Sequence, residues 1–67
     1  MDVTQIYVFQ GARQMNTFLK DNAAYIDLER IEIQLVPSQP AFFFFVIAEV
    51  RVSVCDEVWA RYESVVA

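Results

Sequence analysis

Few side chains in this 67-residue chain could carry a reaction, and no histidine is among them. Cys55 is the single cysteine. A thiolate nucleophile needs a histidine or another activating group at hand. The neighbours of Cys55 are two acids, Asp56 and Glu57, not a base. The simpler role for Cys55 is a small buried apolar residue. Glu29, Glu32, Glu49, Asp56 and Glu57 could supply a carboxylate pair for glycosidic or metal chemistry. Such a pair needs a pocket around it, and a chain this short has room for a deep one only between subunits. Glu49 and Arg51, two apart on one strand face, read more simply as a surface ion pair. Gly11 stands between a strand pattern and a helical one. It could bring backbone close to an anion at the helix start, but no phosphate motif surrounds it, and a turn or N-cap is sufficient. With one cysteine and no histidine, the usual nitrogen and sulfur ligands of zinc are missing. The chain is therefore expected to be no enzyme, with no cofactor and no metal.

Binding chemistry is better represented. Trp59, Tyr62 and Val66 share a stripe near the C-terminus, and large aromatics of this kind anchor protein interfaces. Packing of the same rings on the chain's own sheet is the competing role. Composition bears on the choice. The chain is 57% hydrophobic and 15% aromatic, more apolar surface than a small monomer hides easily. A core of this size rarely supplies more than about 3–5 kcal/mol, and neither a disulfide nor a metal is present to help. Self-association is the remaining route, and a homodimer is the expected state. Net charge is −4, and the five basic residues, Arg13, Lys20, Arg30, Arg51 and Arg61, are scattered. No basic stripe exists to neutralise phosphates, so nucleic acid is not an expected partner.

The element that must organise these residues is the stretch AFFFFVIAEVRVSV, residues 41–54. It is rich in aromatic and β-branched side chains, which suit a strand. Phe42, Phe44, Val46, Ala48, Val50, Val52 and Val54 alternate onto one apolar face. On the other face Phe43, Phe45 and Ile47 give way to Glu49, Arg51 and Ser53. This predicts a central strand, buried on one side throughout and on the other for its first half only. The unbroken apolar run, residues 41–48, is far short of the roughly 20 that a spanning helix needs, so no membrane role is expected. The N-terminal MDVTQIYVFQ lacks the basic start of a signal peptide, and one free cysteine suits a reducing compartment. A cytoplasmic location is expected.

The remaining elements follow in order. Residues 3–9 read as a first strand, with Thr4, Ile6 and Val8 on one face and Val3, Gln5, Tyr7 and Phe9 on the other. Residues 12–24 read as a helix, with Ala12, Met15, Phe18, Leu19 and Ala23 on one stripe. Asn22 is its stop signal, as asparagine tolerates a left-handed helix end. Residues 25–36 read as a second strand whose apolar parity slips: Ile26 and Leu28 are even, whereas Ile31, Ile33 and Leu35 are odd. A β-bulge at Glu29 and Arg30 would restore the face. Together with Asp27, Glu29 and Glu32 it would protect an edge strand. Pro37-Ser38-Gln39-Pro40 reads as a turn to the central strand. Ser53 to Asp56 matches a capping box before a final helix, Cys55–Val66.

The order β-α-β-β-α, with the most apolar strand in the middle, predicts a single α+β domain, residues 1–67. Its three-stranded antiparallel sheet has spatial order 1-3-2, with one helix on a face and a short C-terminal helix. In element order alone this resembles half of a ferredoxin-like fold. The first helix should cover one sheet face, and the C-terminal helix part of the opposite face, in cis or on another subunit. The expected function is a small non-catalytic protein-binding or regulatory module, homo-oligomeric, and of the phage-type inhibitor kind that occupies a site on a larger host machine. Its partner-binding residues would be Trp59, Tyr62, Val66, Phe43, Phe45 and Ile47, with Glu29 and Glu32 on an acidic edge. The alternative is a small-molecule-binding module with a pocket between subunits, lined by Phe43, Phe45, Tyr7 and Trp59.

Overall fold

A computed structural model describes residues 1–37 and 42–67. The element order is β1 (Asp2–Phe9), α1 (Ala12–Asp21), β2 (Glu32–Pro37), β3 (Phe42–Arg51) and α2 (Cys55–Val66), with a 3₁₀ turn at Val52–Val54 leading into α2. The strands form one sheet in the order β1-β3-β2, and both neighbours of β3 are antiparallel to it. This is the α+β architecture expected of the sequence. The turn expected at residues 37–40 lies, beyond Pro37, outside the described residues.

The register defines the two sheet faces. Tyr7 stands opposite Val46 and Phe9 opposite Phe44, and Ile33 stands opposite Val46 on the other side. Directly opposed residues share a face, so Tyr7, Phe9, Val46, Ala48 and Val50 point the same way. They meet Met15 and Phe18 of α1 and Val58 of α2, and all eight are buried. Tyr7 and Phe9 each approach both Phe18 and Tyr62, with ring centroids between 4.7 and 5.3 Å apart. Both helices therefore pack on one face. This corrects the expectation that α2 crosses to the second face. The reason lies in the stripe on α2: Val58 and Tyr62 find their densest apolar neighbours beside Phe18, over β1. The Cα extents of 37 × 22 × 15 Å leave room for a sheet and one helix layer only.

The parity slip in the second strand is real, and it is resolved by more than a bulge. Ile26 makes an isolated bridge to Val50, and Glu32 stands opposite Ile47. Six steps along one segment thus span three along the other. The surplus is taken up by a turn in which the Asp27 Oδ1 accepts the Glu29 N–H (3.1 Å) and the Asp27 carbonyl accepts the Arg30 N–H (3.1 Å). Ile26 stays in the core, and the strand proper begins only at Glu32. Asp27 and Glu29 are consequently in the turn and not on the edge strand.

Asn22 does stop α1, by a different device from the one expected. Its φ is −114°, outside the left-handed region. The residue is fully buried. Its Nδ2 and its backbone N–H both donate to the Phe18 carbonyl (2.9 and 3.1 Å), and its own carbonyl accepts from Tyr25 and Ile26. Its Oδ1 accepts from the Arg61 guanidinium at 3.0 Å, and Arg61 also lies over the Tyr25 ring, 4.8 Å from its centroid. The amide thus satisfies a helix end and ties α2 to it. The capping box at Ser53 does not form. Ser53 falls inside the 3₁₀ turn, Val54 takes the N-cap position, and no side chain caps it. Asp56 and Glu57 still occupy the first turn, where the helix dipole favours acids.

Gly11 precedes α1 with φ 124° and ψ 150°, a region open in practice to glycine alone. A Cβ there would meet nothing within 4 Å, so the requirement is one of backbone conformation and not of space. Gly11→Ala should lower stability by about 1–3 kcal/mol in denaturant unfolding, with the fold retained. An unchanged midpoint would mean that the turn relaxes.

Candidate functional site

The second face of the sheet carries the alternate residues. Ile6 stands opposite Ile47, and Val8 opposite Phe45. Across β3, Ile47 stands opposite Glu32, Phe45 opposite Gln34 and Phe43 opposite Val36. Six apolar side chains, Ile6, Val8, Phe43, Phe45, Ile47 and Val36, therefore adjoin one another on a flat surface, and no helix among the described residues lies over it. Ile6 is 55% exposed and Val36 38%, while Phe43, Phe45 and Ile47 are half-buried by their own neighbours in the sheet. β-Branched and aromatic residues are normal on a pleated surface. What is unusual is that one continuous set of them faces outward.

The rim is polar, with Glu32 and Gln34 on the β2 side and Glu49, Arg51 and Asp2 at the end of the sheet. Gln34 Nε2 donates to Glu32 Oε1 at 3.3 Å, which orders the β2 side. Glu49 lies beyond Ile47 and pairs with Arg30 of the turn at 3.5 Å. Both partners of that pair are substantially exposed, so it contributes little to stability. At the end of the sheet a shallow cleft of about 240 Å³ is lined by Asp2, Ala24, Tyr25, Ile26, Asp27, Glu49 and Arg51.

The structure separates the sequence-derived candidates. Phe43, Phe45, Ile47 and Glu32 fall together on the uncovered face. Trp59, Tyr62 and Val66 are on α2, on the opposite side of the sheet. Glu29 is in the turn before β2. Trp59 is 42% exposed and Val66 36%. Tyr62 is engaged within the chain: its hydroxyl accepts the Val8 N–H (3.2 Å) and donates to the Val8 carbonyl (2.8 Å). One side chain thus closes the β1 edge at Val8. Tyr7 and Trp59 are on the helix side and Phe43 and Phe45 on the other, so a single chain does not bring those four to one pocket. Cys55 is half-buried against the core, and its Sγ lies 3.9 Å from the Val50 carbonyl, the place of a small core residue. Ile6 and Val36 join the surface without having been singled out in the sequence. The signal for Ile6 was its parity with Val8. For Val36 it was masked by the slip in register.

Tyr7 contrasts with Tyr62. It is fully buried, and its hydroxyl has no hydrogen-bond partner among the described residues. Burial pushes its pKa up to about 12, with repulsion from a Cys55 thiolate adding to the effect. The folded chain thus keeps a proton that an unfolded tyrosine loses near pH 10. The resulting stabilisation is complete below about pH 10 and is lost as pH rises toward 12.

Two conservative variants should separate these roles. Tyr62→Phe leaves the Val8 amide and carbonyl without their partner and should cost about 1–2 kcal/mol. Tyr7→Phe removes an unsatisfied hydroxyl and should cost nothing, or stabilise by up to about 1 kcal/mol, and it should delay unfolding above pH 10. Equal losses in the two variants would contradict the assignment. No protein-family model, characterised protein or solved structure matches this chain, so its surfaces are what bears on its function.

Proposed function

We propose that the chain is a small non-catalytic protein-binding module, itself homo-oligomeric, that regulates a larger protein by docking the uncovered face of its sheet. The observation that carries this reading is the placement of both helices on one face, which leaves Ile6, Phe43, Phe45, Ile47 and Val36 without cover on the other. A flat apolar centre with a polar rim is the usual anatomy of an interface. The rim sets the chemistry of the partner. Glu32 and Glu49 border the apolar centre, and the chain as a whole carries −4. The matching surface is an apolar patch flanked by lysine or arginine, and association with it weakens as salt rises.

This reading moves the weight from α2 to the sheet. Tyr62 is committed to Val8, and its substitution would disturb the fold before it disturbed a partner. Trp59 and Val66 remain as a secondary contact on the helix side. Glu32 belongs to the main surface and Glu29 to its margin.

The test uses Phe45→Asp, which places a charge at the centre of the face without touching the helix-side core. Wild type and variant, matched for far-UV circular dichroism and thermal midpoint, are compared as baits in the native cell extract. A partner recovered by the wild type is then purified and titrated against both. The expected result is at least a tenfold loss of affinity for Phe45→Asp, about 1.4 kcal/mol or more, and weaker wild-type binding at high salt. Equal affinity of the two proteins would remove the sheet face from the account.

A further inference from the structure

We infer that two copies of the chain pair through β2, edge to edge and antiparallel, to form a continuous six-stranded sheet of order β1-β3-β2-β2-β3-β1. The inference rests on the reading that the chain is homo-oligomeric, and it names the surface and the partner.

The two outer edges of the three-stranded sheet are unlike. On β1, the Tyr62 hydroxyl occupies both backbone groups of Val8. On β2, no group among the described residues bonds to the outer edge, and none of its residues is buried. The register shows what that edge offers. Val52 N–H donates to the Met1 carbonyl (3.0 Å), and Val8 turns its backbone groups away from β3. In an antiparallel ladder these groups alternate sides. Phe44, Val46, Ala48 and Val50 therefore bond to β1, and Phe45 and Ile47 bond to Gln34 and Glu32 of β2. It follows that Ile33 and Leu35 direct their N–H and C=O groups to the free edge.

Those two residues form a self-complementary pair. With Gln34 of each copy opposed across a two-fold axis normal to the sheet, Ile33 of one copy meets Leu35 of the other, twice. Each meeting exchanges two backbone hydrogen bonds, four in all. Ile33 and Leu35 are 45% and 54% exposed and share a face, so their side chains pack across the join beside Phe42 and Phe44. In the same register Glu32 faces Val36 of the second copy. The two Glu32 side chains are four residues apart along the strands, about 13 Å, beyond the distance at which exposed charges repel strongly. A shift by two residues would oppose Ile33 to Pro37, which has no N–H to give.

Natural edge strands are usually guarded by charge, proline or a bulge. Here the turn takes Asp27 and Glu29 off the strand, Pro37 stands at its end, and the middle of β2 is the uncharged run Ile33-Gln34-Leu35-Val36. Nothing in that run opposes pairing. The contact is small, so the dimer is expected to be weak and to dissociate on dilution. Pairing at this edge also leaves the uncovered faces of both copies side by side, doubling the surface assigned above to a partner.

The test is sedimentation-equilibrium mass across a hundredfold dilution from high micromolar concentration. The wild type should pass from twice the chain mass to the chain mass. Leu35→Pro removes an outward N–H at a position where proline fits an edge strand, and it should stay monomeric throughout with an unchanged circular dichroism spectrum. Leu35→Lys supplies the same answer if the proline variant fails to fold. Phe45→Asp should dimerise as the wild type does. Hydrogen exchange at the Ile33 and Leu35 amides should slow as concentration rises. A wild type that is monomeric at every concentration would overturn the inference. So would dimers of both Leu35 variants as strong as the wild type's, or a dimer lost on Phe45→Asp alone. Partner binding lost with Phe45→Asp and kept with Leu35→Pro would leave the proposed function standing without the edge pairing.

Discussion

Tyr7, Phe9, Phe18 and Tyr62 come from three elements and meet on one side of β1, each ring in contact with at least two others. Aromatic side chains bury more area than any others, and tilted or edge-on pairs add to what burial alone supplies. In a chain of this length one such cluster is a large part of the core. It draws α1 and α2 to the same face and sets them beside each other. Asn22 and Arg61 then fasten the end of the first helix to the second. Once both helices are committed there, no element among the described residues remains for the other face or for the far edge. The uncovered face and the unguarded β2 edge are two consequences of one packing decision.

The exposed apolar surface is accordingly not spread at random. On the helix side it includes Ile33 and Leu35 of β2 and Phe42 at the start of β3. On the other side it runs across all three strands. Trp59 lies outside both regions, at the margin of the aromatic cluster, 5.8 Å from Tyr7. A small protein that keeps this much apolar area in ordered strands can contact a second molecule without first ordering itself, which reduces the entropic cost of binding.

Much of this was legible in the sequence. The alternation through Val46, Ala48 and Val50 identified the central strand and its buried face. The two isoleucine parities around Leu28 located the break in the second strand. Element order with the most apolar strand in the middle is enough for the 1-3-2 sheet. What could not be read was which face α2 would choose. Its stripe of Val58, Tyr62 and Val65 is compatible with either face, and the choice depends on Phe18 and Tyr7, distant in sequence. The size of the excursion after Ile26 was hidden for the same reason. Parity reports an odd number of extra residues and cannot tell one from three. The buried role of Asn22 depends on Arg61, 39 positions away, and no local pattern announces it. Ser53 to Asp56 shows the reverse case, a local pattern overridden because the chain enters the helix through a 3₁₀ turn.

Among the described residues, one face of the sheet is covered and the other is not. A soluble paramagnetic probe, read by methyl relaxation at a concentration low enough to keep the chain monomeric, tests this directly. Ile6 and Val36 should broaden strongly and Ile47 to an intermediate degree, with Val46, Val50 and Val58 protected. If Ile6 and Val36 were as protected as Val46, some part of the chain would cover that face, and the account of its function would fall with it.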